Sequence, residues 1–450
     1  MPVGENKFLS LPVTRRGLFK TAGLGLIATG LAPAVSAPFV SRAFAQTKTL
    51  AILQWSHFVP AFDTWFDKFA QDWGTKNGIS VTVDHIPEQD IAARAAAEVA
   101  AGAGHDLFMW NGAGGPHLYR RYLVDMTKLV EGVEQKFGKV SVIGRQIAYN
   151  ADDKTWSAYP DYYINNPGMY RKSLWDEIGM LPTTWDDVRI GGAKLKAKGH
   201  PIGCSLARSN DPNLCWRGVL WSYGANVQDE TGKHVMLDSK AAVEAVKFVK
   251  ALYQEAMTNE VLSWNDASNN QYIDSGVGSF IINPISAYRT AQQLNPKLAD
   301  DIFVMDPPKG PARMLVGAAP NSYGIWKFAR NKEAGLNFLQ YYADHWVDAF
   351  KASTGYNMPI FANIVPKPMP ILSDDPTSHP STKLAILQNS DTWSAVSGWP
   401  GPAGPATDEV YNDFVICDMM TKAATGALTP EEAVKWATEQ TSQIFKKWEV

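Results

Sequence analysis

The feature that most constrains the fold is an early alternation of hydrophobic period. TLAILQW (49–55) reads as a strand, and after it Phe62, Trp65, Phe66, Phe69 and Trp73 recur at the spacing of one helical face. Gly74 and Asn77-Gly78 stop that helix. ISVTVDHI (79–86) is a second strand, EQDIAARAAAEVAAG (88–102) a second helix, and DLFMW (106–110) a third strand. A β-α-β-α-β order requires a parallel sheet with right-handed crossovers, so the fold class is α/β.

The same grammar returns downstream. Thr184-Trp185-Asp186-Asp187 predicts a capped helix running to Lys198, followed by strand-like PIGCSL (201–206). Asp238 is expected to cap the long helix SKAAVEAVKFVKALYQEA (239–256), and VGSFIIN (277–283) reads as a buried strand. RNKEAGLNFLQYYAD (330–344) is amphipathic, and Thr429-Pro430-Glu431-Glu432 carries cap, N1 proline and N3 glutamate signals. With 450 residues, no internal repeat and no low-complexity linker, the pattern suggests two lobes that exchange segments.

The N-terminus reads as an export signal rather than as part of the fold. Arg15-Arg16 precede a Gly- and Ala-rich apolar stretch too short to span a bilayer, and Ala43-Phe44-Ala45 supply small residues before Gln46. The whole resembles a twin-arginine translocation signal over 1–45, cleaved on export. No cysteine precedes Cys204, so a lipid anchor at the cleavage point is not expected. Removing five basic groups and one acid takes the formal charge from −3 to −7, which disfavours nucleic acid and anionic membranes as partners. Cys204 and Cys215 flank a polar stretch read as a loop, SLARSNDPNL (205–214), and a bridge between them stays open as an alternative to free thiols.

Templates for catalysis do not complete. The eight histidines never fall four residues apart on a helix, no Cys-x-x-Cys occurs, and Gly203-Cys204-Ser205-Leu206-Ala207 lacks the second glycine of a nucleophile elbow. Gly112-Ala113-Gly114-Gly115 has neither the lysine nor the spacing of a phosphate loop. No cofactor, metal or catalytic residue is therefore expected. A secreted glycosidase-like hydrolase with dispersed carboxylates stays as the alternative class, because such pairs leave no local motif.

Taken in order, DLFMWNGAGGPHLYRRYLVDMTKL, YYINNPGMYRKSLWDEIGMLPTTWDDV, DSKAAVEAVKFVKALYQ, DSGVGSFIINPISAY, RNKEAGLNFLQYYAD and ALTPEEAVKWATEQ resemble the extracellular solute-binding proteins of ABC importers, in the carbohydrate-receptor branch that includes maltose-binding protein. The resemblance covers about 49–445. It departs at Tyr162-Tyr163-Ile164-Asn165-Asn166-Pro167 and Gly168-Met169-Tyr170-Arg171, where many carbohydrate receptors have a plain tyrosine-tyrosine-asparagine element.

The resemblance implies a periplasmic-binding-protein type II fold: two α/β lobes with a ligand cleft between them. The expected division is 47–157 with 277–328 as one lobe and 158–276 with 329–450 as the other. It also implies a periplasmic, monomeric receptor that passes a small polar solute, most readily a sugar or polyol, to a membrane permease.

Candidate ligand contacts sit at strand ends and in aromatic loops: Trp55, Ser56 and His57 after the first strand, Trp110 and Asn111 after the third, and Asn283 at the end of VGSFIIN. Tyr162, Tyr163, Tyr356, Asn357 and Trp399 are the candidates on the opposite wall. Aromatic faces and amides suit an uncharged polyhydroxy ligand. An anionic or cationic metabolite stays open as well, and Arg208, Arg217, Arg289 or Arg313 would be the clamp for an anion.

Overall fold

The opening alternation folds as predicted. In the computed structural model, which describes residues 48–112 and 115–449, β1 (Lys48–Trp55) pairs in parallel with β2 (Ile79–Ile86) and, on its other edge, with β3 (Leu107–Asn111). The intervening helix α1 (Pro60–Asn77) buries Phe62, Phe66, Ala70 and Trp73 against the sheet and ends on Gly78, whose φ of 66° is the left-handed conformation glycine adopts most readily. Residues 1–45, read from sequence as an export signal, lie outside the described residues.

Three later strands complete the first sheet. Ala319–Ile325 runs antiparallel between β3 and Tyr159–Ile164, and Met358–Pro359 closes the edge, giving six strands in the order 358–359, 159–164, 319–325, β3, β1, β2. A second sheet of three strands, in the order 280–282, 168–171, 302–305, forms the floor of the other lobe. Helices Trp185–Ala197, Lys240–Ala256, Val415–Ala424 and Pro430–Lys447 belong to that second body, the long 240–256 helix contacting the other three.

Strand pairing divides the chain at other places than sequence pattern suggests. Phe280–Ile282 and Ile302–Met305, expected in the first lobe, pair with Gly168–Arg171 in the small sheet, and Tyr159–Ile164, expected in the second, lies inside the large one. The helix Lys332–Asp344, also expected in the second lobe, packs Phe338 and Tyr342 onto Phe66 and Tyr323 of the first. The chain leaves the large sheet through Asn165-Asn166-Pro167 and returns through 306–318; the two passages touch where Asn166 Nδ2 donates to the Gly317 carbonyl at 2.7 Å. Which strands share an edge is a long-range choice, and hydrophobic period carries no trace of it.

Several local expectations are corrected in the same way. Glu88–Asp90 forms a separate 3-10 turn before the helix Ile91–Ala101, because Pro87 sets the approach. PIGCSL contributes only an isolated bridge at Gly203, and the buried strand expected over 277–283 is reduced to Phe280–Ile282. The polar stretch after Cys204 contains the first turn of the helix Asn210–Ser222, so Cys215 is helical; it, Cys204 and Cys417 are buried and free. Ser239 rather than Asp238 caps the 240–256 helix, its side chain accepting from Ala242 N.

Two predicted helix starts carry full capping boxes, at Thr184 with Asp187 and at Thr429 with Glu432. Thr184 Oγ1 accepts from Asp187 N at 3.0 Å and Asp187 Oδ2 accepts from Thr184 N at 2.9 Å, just before the buried Trp185. Thr184→Ala is expected to lower stability by about 1 kcal/mol in urea denaturation. An unchanged midpoint would show that the box contributes nothing.

Candidate functional site

The carboxyl ends of β2 and β3 face the start of the helix Asn210–Ser222 across a cavity of about 230 Å³. One wall is Glu88, Gln89, Trp110 and Asn111, from the large sheet; the other is Ser209, Asn210, Asp266 and Tyr411, from the second body. A narrow inner pocket of about 20 Å³ continues past Glu88 and Asp266 to Asp211, Asn283, Ser286 and Tyr356. That volume is the size of a single water site.

Trp110 sits here because β3 delivers it. Its ring is held between Phe108, Trp326 and Tyr119, and its Nε1 is buried without a partner. The glycines after β3 have a steric role. Gly112 takes a φ of 82°, and a Cβ on Gly115 would stand 2.2 Å from the Trp110 ring. Only a bare backbone lets the loop fold down over this indole.

Amides and acids share the remaining wall. Asn111 Nδ2 donates to Glu88 Oε2 at 2.8 Å, and the Glu88 carboxyl is in hydrogen-bonding contact with Asp266 and Asn210. Asp266 accepts from the Asn210 and Asp211 backbone N–H groups at 3.2 and 2.8 Å, so it also caps the 210–222 helix. Asn269 Nδ2 donates to Asp211 at 2.6 Å and also contacts the Asn283 side chain, whose Nδ2 donates to Asn270 Oδ1 at 2.6 Å. Burial, and then the neighbouring Asp266, push the Glu88 carboxyl well above the usual range; burial and Asp266 do the same to Asp211.

Of the residues singled out in the sequence, Trp110, Asn111, Asn283 and Tyr356 line these two spaces. The others stand elsewhere. Trp55 donates from Nε1 to the Tyr162 hydroxyl at 2.9 Å, and both are fully buried in the first lobe. His57 is buried against Asn357 Oδ1 at 2.9 Å, and burial lowers its pKa to about 4, so it is a neutral packing group with Asn357 as its partner. Ser56 is exposed beside it. Tyr163 bonds Ser390, and Trp399 lies edge-on to Trp221 beneath the Arg313 guanidinium.

Three of the four arginines considered as anion clamps are committed to other groups, and Arg313, stacked over Trp399, lines neither space. Arg208, at the cavity rim, is bidentate on Asp418, Arg289 pairs with Asp375, and Arg217 donates to Asn213 while stacking on Tyr411. Glu88, Ser209, Asn210, Asp211, Asp266 and Tyr411 were not predicted as site residues. For Glu88 a signal existed, since it follows β2 as Trp110 ends β3, and open α/β sheets place contacts at strand carboxyl ends. Ser209-Asn210-Asp211-Pro212 is a helix-start pattern that could have been read likewise. Nothing local marks Asp266 or Tyr411.

With this geometry in view, comparison with known proteins identifies the class. Residues 59–345 match the family model for bacterial extracellular solute-binding proteins, and the chain belongs to that family. No curated protein matches it by sequence.

Solved structures share the fold. A solute-binding protein of Thermotoga lettingae bound to α-D-tagatose is 19% identical, with a TM-score of 0.75 over 88% of this chain and 100% of its own. A sugar transporter protein of Arthrobacter chlorophenolicus with laminaribiose is 17% identical, with a TM-score of 0.75 over 88% and 99%. A solute-binding protein of Agrobacterium radiobacter with ribitol is 16% identical, with a TM-score of 0.73 over 88% and 98%. The fold is thus of periplasmic-binding-protein type II, with two α/β lobes, and the family is one of binding proteins rather than enzymes. Among the described residues no helix is long and apolar enough to cross a membrane.

Proposed function

We propose that this protein captures a small polyhydroxy solute, a sugar or polyol, in the cavity between its lobes and delivers it to the permease of an ABC importer. The observation that carries this reading is the cavity wall itself. The Trp110 ring and the Tyr356 and Tyr411 side chains stand among the amides of Asn111, Asn210 and Asn283. Hydroxyl groups need both donors and acceptors once they leave water, and the amides with the unpaired Trp110 Nε1 and Asn111 Oδ1 supply both. Solved relatives of the same fold that hold tagatose, laminaribiose and ribitol support it.

The lobes that close on the solute follow the sheets, about 47–164 with 319–363 against about 165–318 with 364–450. The paired passages at Asn166 and Gly317, with a third near residue 364, are the hinge between them. A ligand touching both walls binds the closed form better and so shifts the population toward it. The mature chain works as a monomer in the periplasm, after twin-arginine export, and the ATPase that drives transport is a separate cytoplasmic subunit.

A hydrolase needs its two carboxyls about 5 to 9 Å apart around the scissile bond. Here Glu88 and Asp266 are in direct contact, which favours binding over turnover.

The test is a thermal-shift panel of sugars and polyols on the mature protein. A true ligand at a hundredfold excess over Kd should stabilise it by about 2.7 kcal/mol. Asn111→Ala is expected to weaken binding about tenfold or more, because it removes the amide that orients Glu88. A panel without a single shift, or steady consumption of glycosides, would overturn the proposal.

A further inference from the structure

The cavity is built for more than hydroxyl groups. Three carboxyl groups converge on its inner end from three segments: Glu88 after β2, Asp211 in the helix Asn210–Ser222, and Asp266 just before the helix Ser268–Asp274. Glu88 and Asp266 are in hydrogen-bonding contact, and burial together with the neighbouring acids holds the Glu88 and Asp211 carboxyls well above the usual range. The one basic residue on the outer wall, Arg208, is exposed and already bidentate on Asp418. Arg217 lies behind Tyr411, bonded to Asn213, and lines neither space. Tyr356 and Tyr411 are neutral phenols at ordinary pH, held there by burial. The buried thiols of Cys204 and Cys215 lie near Asp211 and that of Cys417 near Asp266, and burial raises the pKa values of Cys215 and Cys417.

A second observation points to an occupant rather than to a structural acid cluster. Trp110 Nε1 and Ser209 Oγ, on opposite walls of the same cavity, are buried and have no hydrogen-bond partner, and Asn111 Oδ1 beside them is also unpaired. Trp110 is 2% exposed and Ser209 9%, so each is a polar group taken out of water with its bonding capacity unused. Among the described residues no group of three or more His, Cys, Asp and Glu side chains has the arrangement of a metal site.

We propose that the solute carries a protonated amine as well as hydroxyl groups, and that Glu88, Asp211 and Asp266 select this amino sugar or aminopolyol over its neutral counterpart. The inference rests on the preceding reading that the cavity takes a polyhydroxy solute. An ammonium placed against Glu88 and Asp266 satisfies carboxylate oxygens with up to three N–H donors and offsets the negative charge that Glu88, Asp211 and Asp266 bring together. The hydroxyl groups are left for the unpaired groups at Trp110, Ser209 and Asn111. Because the ammonium pairs with carboxylates, and burial raises the Glu88 and Asp211 carboxyls, affinity for the amine rises as pH rises, until the amine itself deprotonates.

Isothermal calorimetry tests this on the mature protein, with amino sugars and aminopolyols each paired with the hydroxyl analogue. D-glucosamine against D-glucose, with N-acetyl-D-glucosamine as the form whose charge is removed, is the first set. The expected result is a Kd at least tenfold lower for amine members, tightening further between about pH 5 and pH 7, below the range in which the D-glucosamine ammonium is lost. Glu88→Gln and Asp266→Asn should each reduce the preference, read as the ratio of the paired Kd values, to less than threefold, whatever they do to the neutral analogue's own affinity. Glu88→Gln leaves the helix cap at Asp266 intact and so guards against simple misfolding. Equal or tighter binding of the neutral members would overturn the charge selection while leaving solute capture standing. Failure of every pair to bind would remove the polyhydroxy reading and this inference together.

Discussion

Gly324→Ala is expected to destabilise the protein by about 3 kcal/mol and to weaken ligand binding, although residue 324 lines neither space of the cleft. Gly324 pairs with Phe108 in the middle of the large sheet. A Cβ there would stand 2.5 Å from Trp110 Cζ3 and 2.9 Å from Leu123 Cδ2, closer than non-bonded carbons approach. The indole cannot recede, because Phe108 and Trp326 hold it at ring-centroid distances of 4.8 and 5.4 Å. It must either strain the sheet or move into the cavity.

Urea unfolding reads the first effect and calorimetry the second. Gly404→Ala, where an added methyl meets nothing within 4 Å, is the control and should change stability by less than about 0.5 kcal/mol. If the two variants were equally stable, the account of Trp110 as wedged from behind would be wrong.

The second large effect is a loss of stability in the ligand-free protein as pH rises from about 4 to about 7. Asp161 is buried in the first lobe, where it accepts from Trp346 Nε1 at 2.7 Å and from the Tyr342 hydroxyl at 3.3 Å. Burial raises its pKa from 3.8 to about 7, and burial likewise takes Asp274 to about 7 and Asp63 to about 6. Each folded-state value exceeds the unfolded one, so the native state binds the extra protons. The stability they confer is full below about pH 4 and is lost as pH climbs through the folded values.

The slope is about 1.4 kcal/mol per pH unit for each group that ionises only in the unfolded chain. His57 acts in the opposite direction. Its folded pKa of about 4 lies below 6.5, so acid below about pH 6 favours unfolding through that residue. Over that window the three carboxyls outweigh the one imidazole, so stability falls as pH rises and levels off above about pH 7. Asp161→Asn keeps an acceptor for Trp346 and should make the fall shallower, as followed by denaturation at several pH values. A fall unchanged in Asp161→Asn would assign the loss to other groups.

The cleft shows how uneven the sequence signal is. Trp110 and Asn111 line the cavity, as expected of side chains at a strand end in an α/β pattern. Trp55 and His57 satisfy the same rule and still lie in the core. β1 and β3 are both flanked on each side, so the difference lies in partners: the polar atoms of Trp55 and His57 are taken up by Tyr162, Asn357 and Val59, whereas Trp110 Nε1 and Asn111 Oδ1 have none. Period and position predict that a residue is near the sheet's edge; whether its polar atom is already occupied depends on partners as far away as 300 residues.

What the sequence determined by itself is local. It set the β-α-β-α-β alternation that opens the large sheet and the capping boxes at Thr184 and Thr429, because each depends on residues within a few positions of one another. Tertiary structure alone decided which sheet the strands at 280–282 and 302–305 join. It also brought Glu88, Asp211 and Asp266 to one point from three separate segments. Edge pairing and burial are settled by long-range packing free energy, and the acids that define the inner pocket carry no periodicity that would announce their meeting.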